Sequence, residues 1–384
     1  MQILIPIEDF QNNLFEWFSE YGRHWIPWKL KEDGSLPESG EFISPYGIWI
    51  AEVMLQQTQL QTVIPYWEKW MKMFPTLIEV VAADEQEVLM QWQGLGYYSR
   101  VKRLHQSSKL LIEFIGKDNF LDPFFWPVEL NQWTSLPGIG RSTAGSIISS
   151  AFDLPLPILD GNIKRILSRL CATTNTHIKD QKTLWKLSSL LLSKKRPRDF
   201  NQALMDLGAK ICTPKKPRCY SCPLQNFCVA YNKYDPHDFP KKEMKKIKPL
   251  QDIGLGLVFN KNGELLIDRR LETSSMGGMW EFPGGKKKPN ECIEETIARE
   301  LKEELGIIVK VGAKLLSFDH AYTHKKLYFT VHFCEWISGQ PKPLASQNIL
   351  WVSPEKLFDF PFPAANSKII SELHKHLSIS NKKL

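Results

Sequence analysis

The sequence has no apolar run long enough to cross a bilayer. The longest, around Gly47 to Leu55, is interrupted by Glu52, whereas a transmembrane helix needs about 20 apolar residues. The first ten residues include Glu8 and Asp9 but no basic residue, which is unlike an export signal. We therefore expect a cytoplasmic protein with no membrane partner. Because no feature predicts an obligate oligomer, we also expect a monomer.

Cysteine is scarce, and four of the seven cysteines lie close together. Cys212, Cys219, Cys222 and Cys228 form the pattern C-x6-C-x2-C-x5-C. Closely spaced thiolates bind zinc or an iron–sulfur cluster. A disulfide framework is typical of short secreted domains and does not suit a chain of 384 residues. The spacing alone does not decide between zinc and iron–sulfur.

The excess of positive charge is small. The 49 Lys and Arg residues exceed the 42 Asp and Glu residues, giving a net charge of +7. This balance favours a polyanionic partner such as nucleic acid, although many basic proteins bind nothing acidic.

The period of the apolar residues divides the chain in two. Helical spacing predicts helices over Val63–Met73, over Glu85–Trp92 and around Ile163–Leu170. We therefore predict a helical domain over residues 1–230. A lysine-rich segment between prolines predicts a solvated basic linker over residues 231–249.

An α+β domain is predicted over residues 250–375. Strands over Ile253–Phe259 and Glu264–Arg269 flank the turn dipeptide Asn262-Gly263 and predict a β-hairpin. One helix over Glu291–Leu305 should follow, and then strands over Lys314–Phe318 and Lys326–Ile337. The fold class is therefore multidomain, an all-α domain followed by an α+β domain.

Two glycines lie in a short turn between predicted helices. Gly138 and Gly140 belong to Leu-Pro-Gly-Ile-Gly, and the next helix is predicted over Arg141–Phe152. Such a turn lets a partner approach the backbone closely, and the helix that follows presents unpaired N–H groups to an anion. It resembles the helix-hairpin-helix motif, which binds DNA phosphates without reading sequence. An ordinary glycine-capped turn is the alternative.

Two carboxylates are candidates for catalysis. Glu52 is the one charged residue of an apolar segment, so its helix should be buried and its pKa raised by desolvation, as a general acid requires. Pairing with an arginine is the alternative. Asp160 directly precedes a predicted helix, where aspartate is a favoured N-cap. An aspartate fixed there stays ionised and can stabilise a developing cation.

Several long stretches together resemble the MutY family of adenine DNA glycosylases, within the endonuclease III superfamily. The matching stretches are Ser44–Gln61, Gly94–Tyr98, Leu136–Gly145, Pro157–Asn162, Phe200–Gly208 and the cysteine loop. The resemblance implies a 4Fe-4S cluster on Cys212, Cys219, Cys222 and Cys228. It also implies a monofunctional enzyme of base excision repair, acting on double-stranded DNA that contains A:8-oxoguanine or A:G mispairs.

The resemblance also assigns roles to single residues. Glu52 would protonate the flipped adenine, and Asp160 would stabilise the oxocarbenium-like sugar while the glycosidic bond is hydrolysed. Lyase members of the superfamily have a lysine where this chain has Ser142, and serine cannot form a Schiff base. Gln57 and Tyr97 would wedge into the duplex beside the extruded base, and we expect Gln56 to contact DNA as well.

The C-terminal domain contains the full Nudix signature, G-x5-E-x7-R-E-U-x-E-E-x-G-U, from Gly285 to Ile307. Glu300, Glu303 and Glu304 lie on one helical face, where like charges favour a shared cation. We therefore expect this site to bind Mg2+ or Mn2+. The MutY family usually has a degraded box here, so two interpretations stay open: an idle metal site, which we favour, or a second centre that hydrolyses oxidised nucleotides.

A three-residue segment of the same domain matches the loop with which the family reads 8-oxoguanine. The family has Phe-Ser-His, and this chain has Tyr322, Thr323 and His324. The changes keep an aromatic ring, a hydroxyl group and an imidazole. Because 8-oxoguanine has an N–H donor at N7, the threonine hydroxyl could accept a hydrogen bond from it.

Overall fold

The computed structural model describes residues 5–173, 177–241, 250–322 and 326–380. The chain forms two compact units, one of Met1–Ala82 with Arg103–Lys245 and the other of Ala83–Lys102 with Lys246–Leu384. The sequence placed residues 83–102 in the helical domain, whereas here they pack with the α+β region. The domain limits at 230 and 249 stay predictions.

The described residues within 1–230 form helices joined by loops, as predicted. In chain order the helices are α1 Ile7–Tyr21, α2 Pro45–Leu55, α3 Leu60–Met73, α4 Leu77–Ala82, α5 Glu85–Trp92, α6 Ser99–Ile115, α7 Leu130–Thr134, α8 Arg141–Phe152, α9 Gly161–Leu170, α10 His177–Leu191, α11 Pro197–Lys210 and α12 Val229–Lys233. The predicted limits of α5 and α8 are confirmed residue for residue. Asp84 caps α5 through a capping box with Glu87, which explains its sharp start.

Helix α2 is buried on almost every side, as its apolar sequence predicts. Eight of its eleven residues are buried, because α2 lies within the first unit with α8 alongside it. Trp49 of α2 contacts Trp133 of α7, with ring centroids 6.2 Å apart. Burying a residue of this size contributes about 1.5–3 kcal/mol. A charged residue on such a helix must therefore lie in a largely apolar environment.

The second unit contains a mixed β-sheet with a helix on each face. Its elements are β1 Leu250–Phe259, β2 Leu265–Arg269, β3 Trp280–Glu281, β4 Gly284–Lys286, α13 Ile293–Leu305, β5 Ile308–Ala321, β6 Lys326–Ser338, β7 Asn348–Val352 and α14 Ala364–Ser380. The strand order is β3-β2-β1-β6-β5, with β4 beside β1 and β7 beside β2. Strands β1 and β6 are parallel, and the other pairs are antiparallel.

Successive side chains of β1 and β2 point to opposite faces of the sheet, so each strand contributes to an apolar core on both faces. Val258 and Leu266 pack with Leu301 of α13, while Leu257 and Leu265 belong to the core under α14. This is the period-2 pattern of a sheet covered on both faces. The β1–β2 hairpin is confirmed, and so is the helix predicted to end at Leu305. That helix starts at Ile293 because Cys292 is its N-cap.

The structure corrects the sequence in three places. Strands β3, β4 and β7 were not predicted, and two of them are too short for any period to show. A second helix, α14, follows where one helix was expected. The first part of the predicted linker is packed and not solvated: α12 continues to Lys233, and Phe239 is 6 % exposed. Residues 242–249, which carry most of its lysines, lie outside the described residues.

Within the described ranges, the helices are all too short or too polar to cross a membrane.

Close packing of α8 gives a stability prediction. A Cβ atom on Gly145 would lie 2.8 Å from the carbonyl oxygen of Pro157, whereas one on Gly161 would meet nothing within 4 Å. We expect Gly145→Ala to lower the free energy of unfolding by about 1–3 kcal/mol, because backbone must move to admit the methyl group. Gly161→Ala is the matched control and should change it by less than about 0.5 kcal/mol. Urea unfolding measures both, and equal midpoints for the two variants would contradict the packing.

Candidate active site

The carboxyl group of Glu52 lies against helix α8. The Ser146 hydroxyl donates a hydrogen bond of 2.8 Å to Glu52 Oε1. No lysine or arginine forms an ion pair with Glu52 in the part of the chain that the structure describes. The alternative that Glu52 pairs with an arginine is therefore not what this structure contains. A neutral hydroxyl is its partner.

Burial raises the pKa of Glu52 to about 7. The hydrogen bond from Ser146 opposes this rise, and the negative charge of Asp160 adds to it. Both effects follow from electrostatics: a donor favours the charged form, and a nearby anion disfavours it. The group can therefore hold a proton near neutral pH, as predicted for the apolar helix.

Asp160 is the N-cap of α9, as the sequence predicted. Its Oδ1 accepts a hydrogen bond of 2.8 Å from the Ile163 N–H group. Burial raises the pKa of Asp160, while the backbone N–H groups of Ile163 and Asn162 lower it. The two carboxyl groups are thus close enough to interact, but only Asp160 is held by helix N–H groups, which favour its ionised form.

Ser142 lies beside the segment that carries Asp160. Its Oγ accepts a hydrogen bond of 2.9 Å from the Leu159 N–H group. Ser142 and Ser146 are one helical turn apart, so α8 presents two hydroxyl groups, one to the chain before Asp160 and one to Glu52. The sequence analysis missed Ser146, although its i+4 spacing from Ser142 was a usable signal.

The glycine turn has the shape that the sequence predicts. Gly138 has φ +82°, and a Cβ there would lie 3.1 Å from the Arg103 side chain. Gly140 has an ordinary φ of −91° and open space where a Cβ would be. Within the described chain, no side chain or backbone atom would lie within 4 Å of a Cβ at Gly140. Gln56 Nε2 donates to the Gly138 carbonyl, at 3.4 Å.

Arg141 follows this turn and is exposed. Its guanidinium lies over the Trp185 ring, 4.1 Å from the centroid, a cation–π contact. The side chain is therefore oriented at the N-terminus of α8, where an anion would bind.

Two predicted DNA-contacting residues have left-handed backbones. Gln57 has φ 60° and is exposed, and Tyr97 has φ 52° and is half-buried. Non-glycine residues rarely adopt this conformation, and those that do cluster at functional sites. Arg100 supports the second of them. Its guanidinium lies 5.1 Å from the Tyr97 ring centroid and donates to the Gly96 carbonyl at 3.0 Å.

The four clustered cysteines have free thiols and are half-buried. Burial raises the pKa of Cys222 to about 12, and the thiolates of Cys212, Cys228 and Cys219 add to the rise. Among the described residues, no three Cys, His, Asp or Glu side chains are placed to hold a single metal ion. A 4Fe-4S cluster makes a different demand, because each thiolate binds its own iron and the sulfurs enclose the cluster. The donor set fits that group.

Two buried arginines of α9 hold the cysteine loop. Arg165 donates to the Cys212 carbonyl at 2.8 Å and to Asn162 Oδ1 at 2.9 Å. Arg169 is 3 % exposed, and it donates to Cys212 Sγ at 3.3 Å and to the Thr213 carbonyl at 2.8 Å. The loop is thereby connected to the helix that Asp160 caps. The sequence analysis did not single out these arginines, because their partners lie far along the chain.

The three glutamates of the Nudix helix are not gathered around one point. Arg299 Nη1 donates to Glu300 at 2.8 Å and to Glu303 at 2.9 Å. The positive charge that reduces the repulsion between these two glutamates therefore comes from an arginine of the same signature. Glu304 faces inward instead. Burial, followed by Glu300 and Glu281, raises the pKa of Glu304 to about 7.

Two further acidic groups, missed in the sequence, lie near Glu304. Asp268 is 5 % exposed, and its Oδ1 has no hydrogen-bond partner among the described residues. It is the register partner of Glu281 across β2 and β3. Arg270 pairs with Glu281 but leaves the pKa of Asp268 well above its usual range, through burial and then the charges of Glu281 and Glu304.

Tyr322 follows β5 and is half-buried. Burial raises its pKa to about 12, and the next largest cause is Tyr98. The His320 ring lies 4.5 Å from the Tyr322 ring between centroids. Thr323 and His324, the other two residues predicted to read 8-oxoguanine, lie outside the described residues.

Comparison with known proteins agrees with this geometry. Residues 50–190 match the HhH-GPD superfamily of base excision DNA repair proteins, and residues 254–372 match the NUDIX domain. The chain is similar in fold to a thermostable thymine-DNA glycosylase, with a TM-score of 0.50 and 23 % identity over 59 % of this chain and 97 % of that one.

Curated relatives extend over both regions. The adenine DNA glycosylase of Mus musculus is 30 % identical over 96 % of this chain and 78 % of its own length. That of Buchnera aphidicola from Schizaphis graminum is 34 % identical over 84 % of this chain and 85 % of its own. With a relative at least 30 % identical over most of both chains, the chain belongs to the adenine DNA glycosylase family of base excision repair.

Proposed function

We propose that this chain removes adenine from A:8-oxoguanine and A:G mispairs in double-stranded DNA by acid-assisted hydrolysis. The observation that carries the proposal is the environment of Glu52, a half-buried carboxyl group that a serine hydroxyl contacts and whose pKa desolvation raises to about 7. A general acid works best when its pKa lies near the working pH. The relatives named above are adenine DNA glycosylases.

The two carboxyl groups divide the reaction between them. Glu52 gives its proton to the flipped adenine, and the bond from C1′ to N9 breaks with its electron pair leaving on the base. Positive charge develops on the sugar, where the Asp160 carboxylate stabilises it. Water then adds to C1′ and loses a proton, which restores the acid. When two acidic groups have surroundings that favour different protonation states, one commonly acts as the general acid while the other stays ionised.

We propose that the enzyme is monofunctional. A lyase needs an amine that attacks C1′ and forms a Schiff base. The residue at position 142 lies beside the segment with Asp160, but its side chain is a hydroxyl that accepts from Leu159. The strand should therefore stay intact after the base has left.

DNA binding is proposed for the glycine turn and for the two left-handed residues. Gly138, Gly140 and Arg141 would hold a phosphate at the start of α8. Gln57 and Tyr97 would fill the space that the extruded adenine leaves, which offsets a few kcal/mol of unstacking. Gln56 would support the turn through its contact with Gly138.

We propose that Cys212, Cys219, Cys222 and Cys228 hold a 4Fe-4S cluster that gives the loop its shape. Their mutual effect on the pKa of Cys222 supports a common site. When bound, the cluster would supply structure and leave proton transfer to other groups. Lys215, Lys216 and Arg218 of the loop are then positioned to reach DNA phosphates.

The C-terminal unit would read the base opposite adenine through Tyr322, Thr323 and His324. The described part of this site, Tyr322, supports the proposal as a half-buried aromatic ring. We further propose that the Nudix box binds Mg2+ or Mn2+ through Glu300, Glu303 and Glu304. The inward carboxyl groups of Glu304 and Glu281 repel each other, and a cation would relieve the repulsion.

Glu52→Gln tests the acid. The amide fits the same space but has no proton to give, so single-turnover excision of adenine opposite 8-oxoguanine should fall at least about 100-fold. The dissociation constant for the same duplex should stay within about threefold. Glu16→Gln, an exposed change on α1, is the matched control.

The same assay tests the reaction type. With the wild-type protein, strand scission should appear only after heating in alkali. Scission without alkali would contradict a monofunctional glycosylase, and excision by Glu52→Gln at a rate within tenfold of wild type would remove Glu52 from the acid role.

Metal analysis tests the cysteine loop. Protein purified without oxygen should contain about four iron atoms per chain, and Cys222→Ser should lose most of that iron. Cys292→Ser is the control, because Cys292 is exposed and caps α13 far along the chain from the loop. Stoichiometric zinc without iron would overturn the assignment.

Calorimetric titration with Mn2+ tests the Nudix box. Burial raises the pKa of Glu304 to about 7, so the group is mostly protonated below pH 7, and metal must displace the proton. Affinity for Mn2+ should therefore increase between about pH 6 and pH 8, and Glu304→Gln should abolish that increase. Binding without pyrophosphate release from oxidised guanine nucleotides would support the idle site. No binding at either pH would contradict the metal proposal.

A further inference from the structure

Within the second compact unit, Gln86 of α5 is fastened to the loop before β3. Gln86 Nε2 donates to the Gly278 carbonyl at 3.0 Å, and Trp280 Nε1 donates to Gln86 Oε1 at 3.0 Å. Both the nitrogen and the oxygen of the Gln86 amide therefore form hydrogen bonds. Trp280 is 5 % exposed, so loss of the amide would leave a buried N–H group without its acceptor, which is costly.

A second attachment of residues 83–102 lies at Lys102, near the start of α6. Lys102 Nζ lies 3.2 Å from Glu85 and pairs with Glu272 in the same loop region. Arg269 is 3.8 Å from each of these carboxylates. The Lys102 side chain is 17 % exposed. Several charges in one network contribute more than an isolated surface pair, although Glu272 is itself exposed.

The two attachments flank the loop that carries Tyr97. Tyr98 Oη accepts from the Gly94 N–H group at 3.0 Å. Arg100 lies over the rings of Trp92 and Tyr97, at 5.2 Å and 5.1 Å from their centroids. The loop therefore has its own internal supports. Gln86 before it and Lys102 after it contact the segment between β2 and β3 and Trp280 of β3.

The core that Gln86 contacts also supports the ring predicted to read 8-oxoguanine. Tyr322 packs against the apolar cluster that contains Trp280, and burial, followed by Tyr98, raises its pKa. Tyr98 is 3 % exposed and immediately follows Tyr97. A shift of the loop against the sheet would therefore change the distance between the wedge residue and the reading residue.

We propose that Gln86 and Lys102 are positioning residues that hold the Tyr97 loop and Tyr322 as one reading surface for the base opposite adenine. This rests on the proposed function. Tyr97 enters the stack, Tyr322 meets the partner base, and the polar contacts of Gln86 and Lys102 fix the distance between them. Their effect falls on the choice of partner base, since neither residue lies at the carboxyl groups that cleave the glycosidic bond.

The experiment compares single-turnover excision of adenine opposite 8-oxoguanine and opposite guanine. Gln86→Leu keeps the size but removes both hydrogen bonds, and Lys102→Met keeps the stem but removes the charge. Each should lower the ratio of the two rates by about tenfold, chiefly through slower excision opposite 8-oxoguanine. Lys109→Met, an exposed change on the same helix α6, should leave the ratio within about twofold.

A double-mutant cycle tests whether the Gln86 contact is responsible. Trp280→Phe removes the N–H donor and should lower the ratio by itself. The double variant with Gln86→Leu should be no worse than the stronger single variant, because the pair acts as one contact. An independent sum of the two effects would contradict a shared contact.

The outcomes separate the two proposals. A wild-type protein that excises adenine from neither duplex would contradict the proposed function. If wild type excises adenine, then an unchanged ratio in Gln86→Leu and Lys102→Met overturns the positioning role. An equal loss opposite both partner bases also overturns it, because a general loss of folded structure would slow both reactions alike.

Discussion

A glutamate on an otherwise apolar helix costs folding free energy, because its charge loses water without gaining a cation. In α2 this cost is reduced by a hydrogen bond from the Ser146 hydroxyl to Glu52, which is a neutral partner. The burial of the helix is supported by packing such as that of its Trp49 against Trp133 of α7. The proton on Glu52, and with it the chemistry proposed for the chain, therefore depends on how completely the first unit excludes water from α2.

In the Nudix helix, by contrast, acidic side chains are paired with an arginine. Arg299 pairs directly with Glu300 and Glu303, so most of the repulsion in the box is cancelled within the chain. What remains is concentrated on the inner side, where Glu304, Glu281 and Asp268 share one arginine. The two acidic sites thus differ in their partners, since Glu52 has a hydroxyl group and Glu304 shares an arginine with two other acids, yet burial raises the pKa of each to about 7.

Much of this could be predicted from local sequence. The capped start of α5, the limits of α8, the N-cap at Asp160 and the β1–β2 hairpin are each set by residues within a few positions of one another. The partner of Glu52 could not be found in the same way, because Ser146 is 94 positions away. Similarly, Arg165 and Cys212 are 47 positions apart. A strand as short as β3 has no hydrophobic period that could be detected. The contact between Trp280 and Gln86 therefore could not be predicted from the sequence.

The left-handed backbones at Gln57 and Tyr97 set a limit on engineering this protein. A residue with a side chain is less stable in that conformation by roughly 1 kcal/mol than glycine would be. A search for stabilising substitutions would therefore select glycine at both positions and, in doing so, remove an amide and an aromatic ring from the surface. Variants chosen for heat resistance alone are thus predisposed to lose these side chains first, and any such library should hold positions 57 and 97 constant.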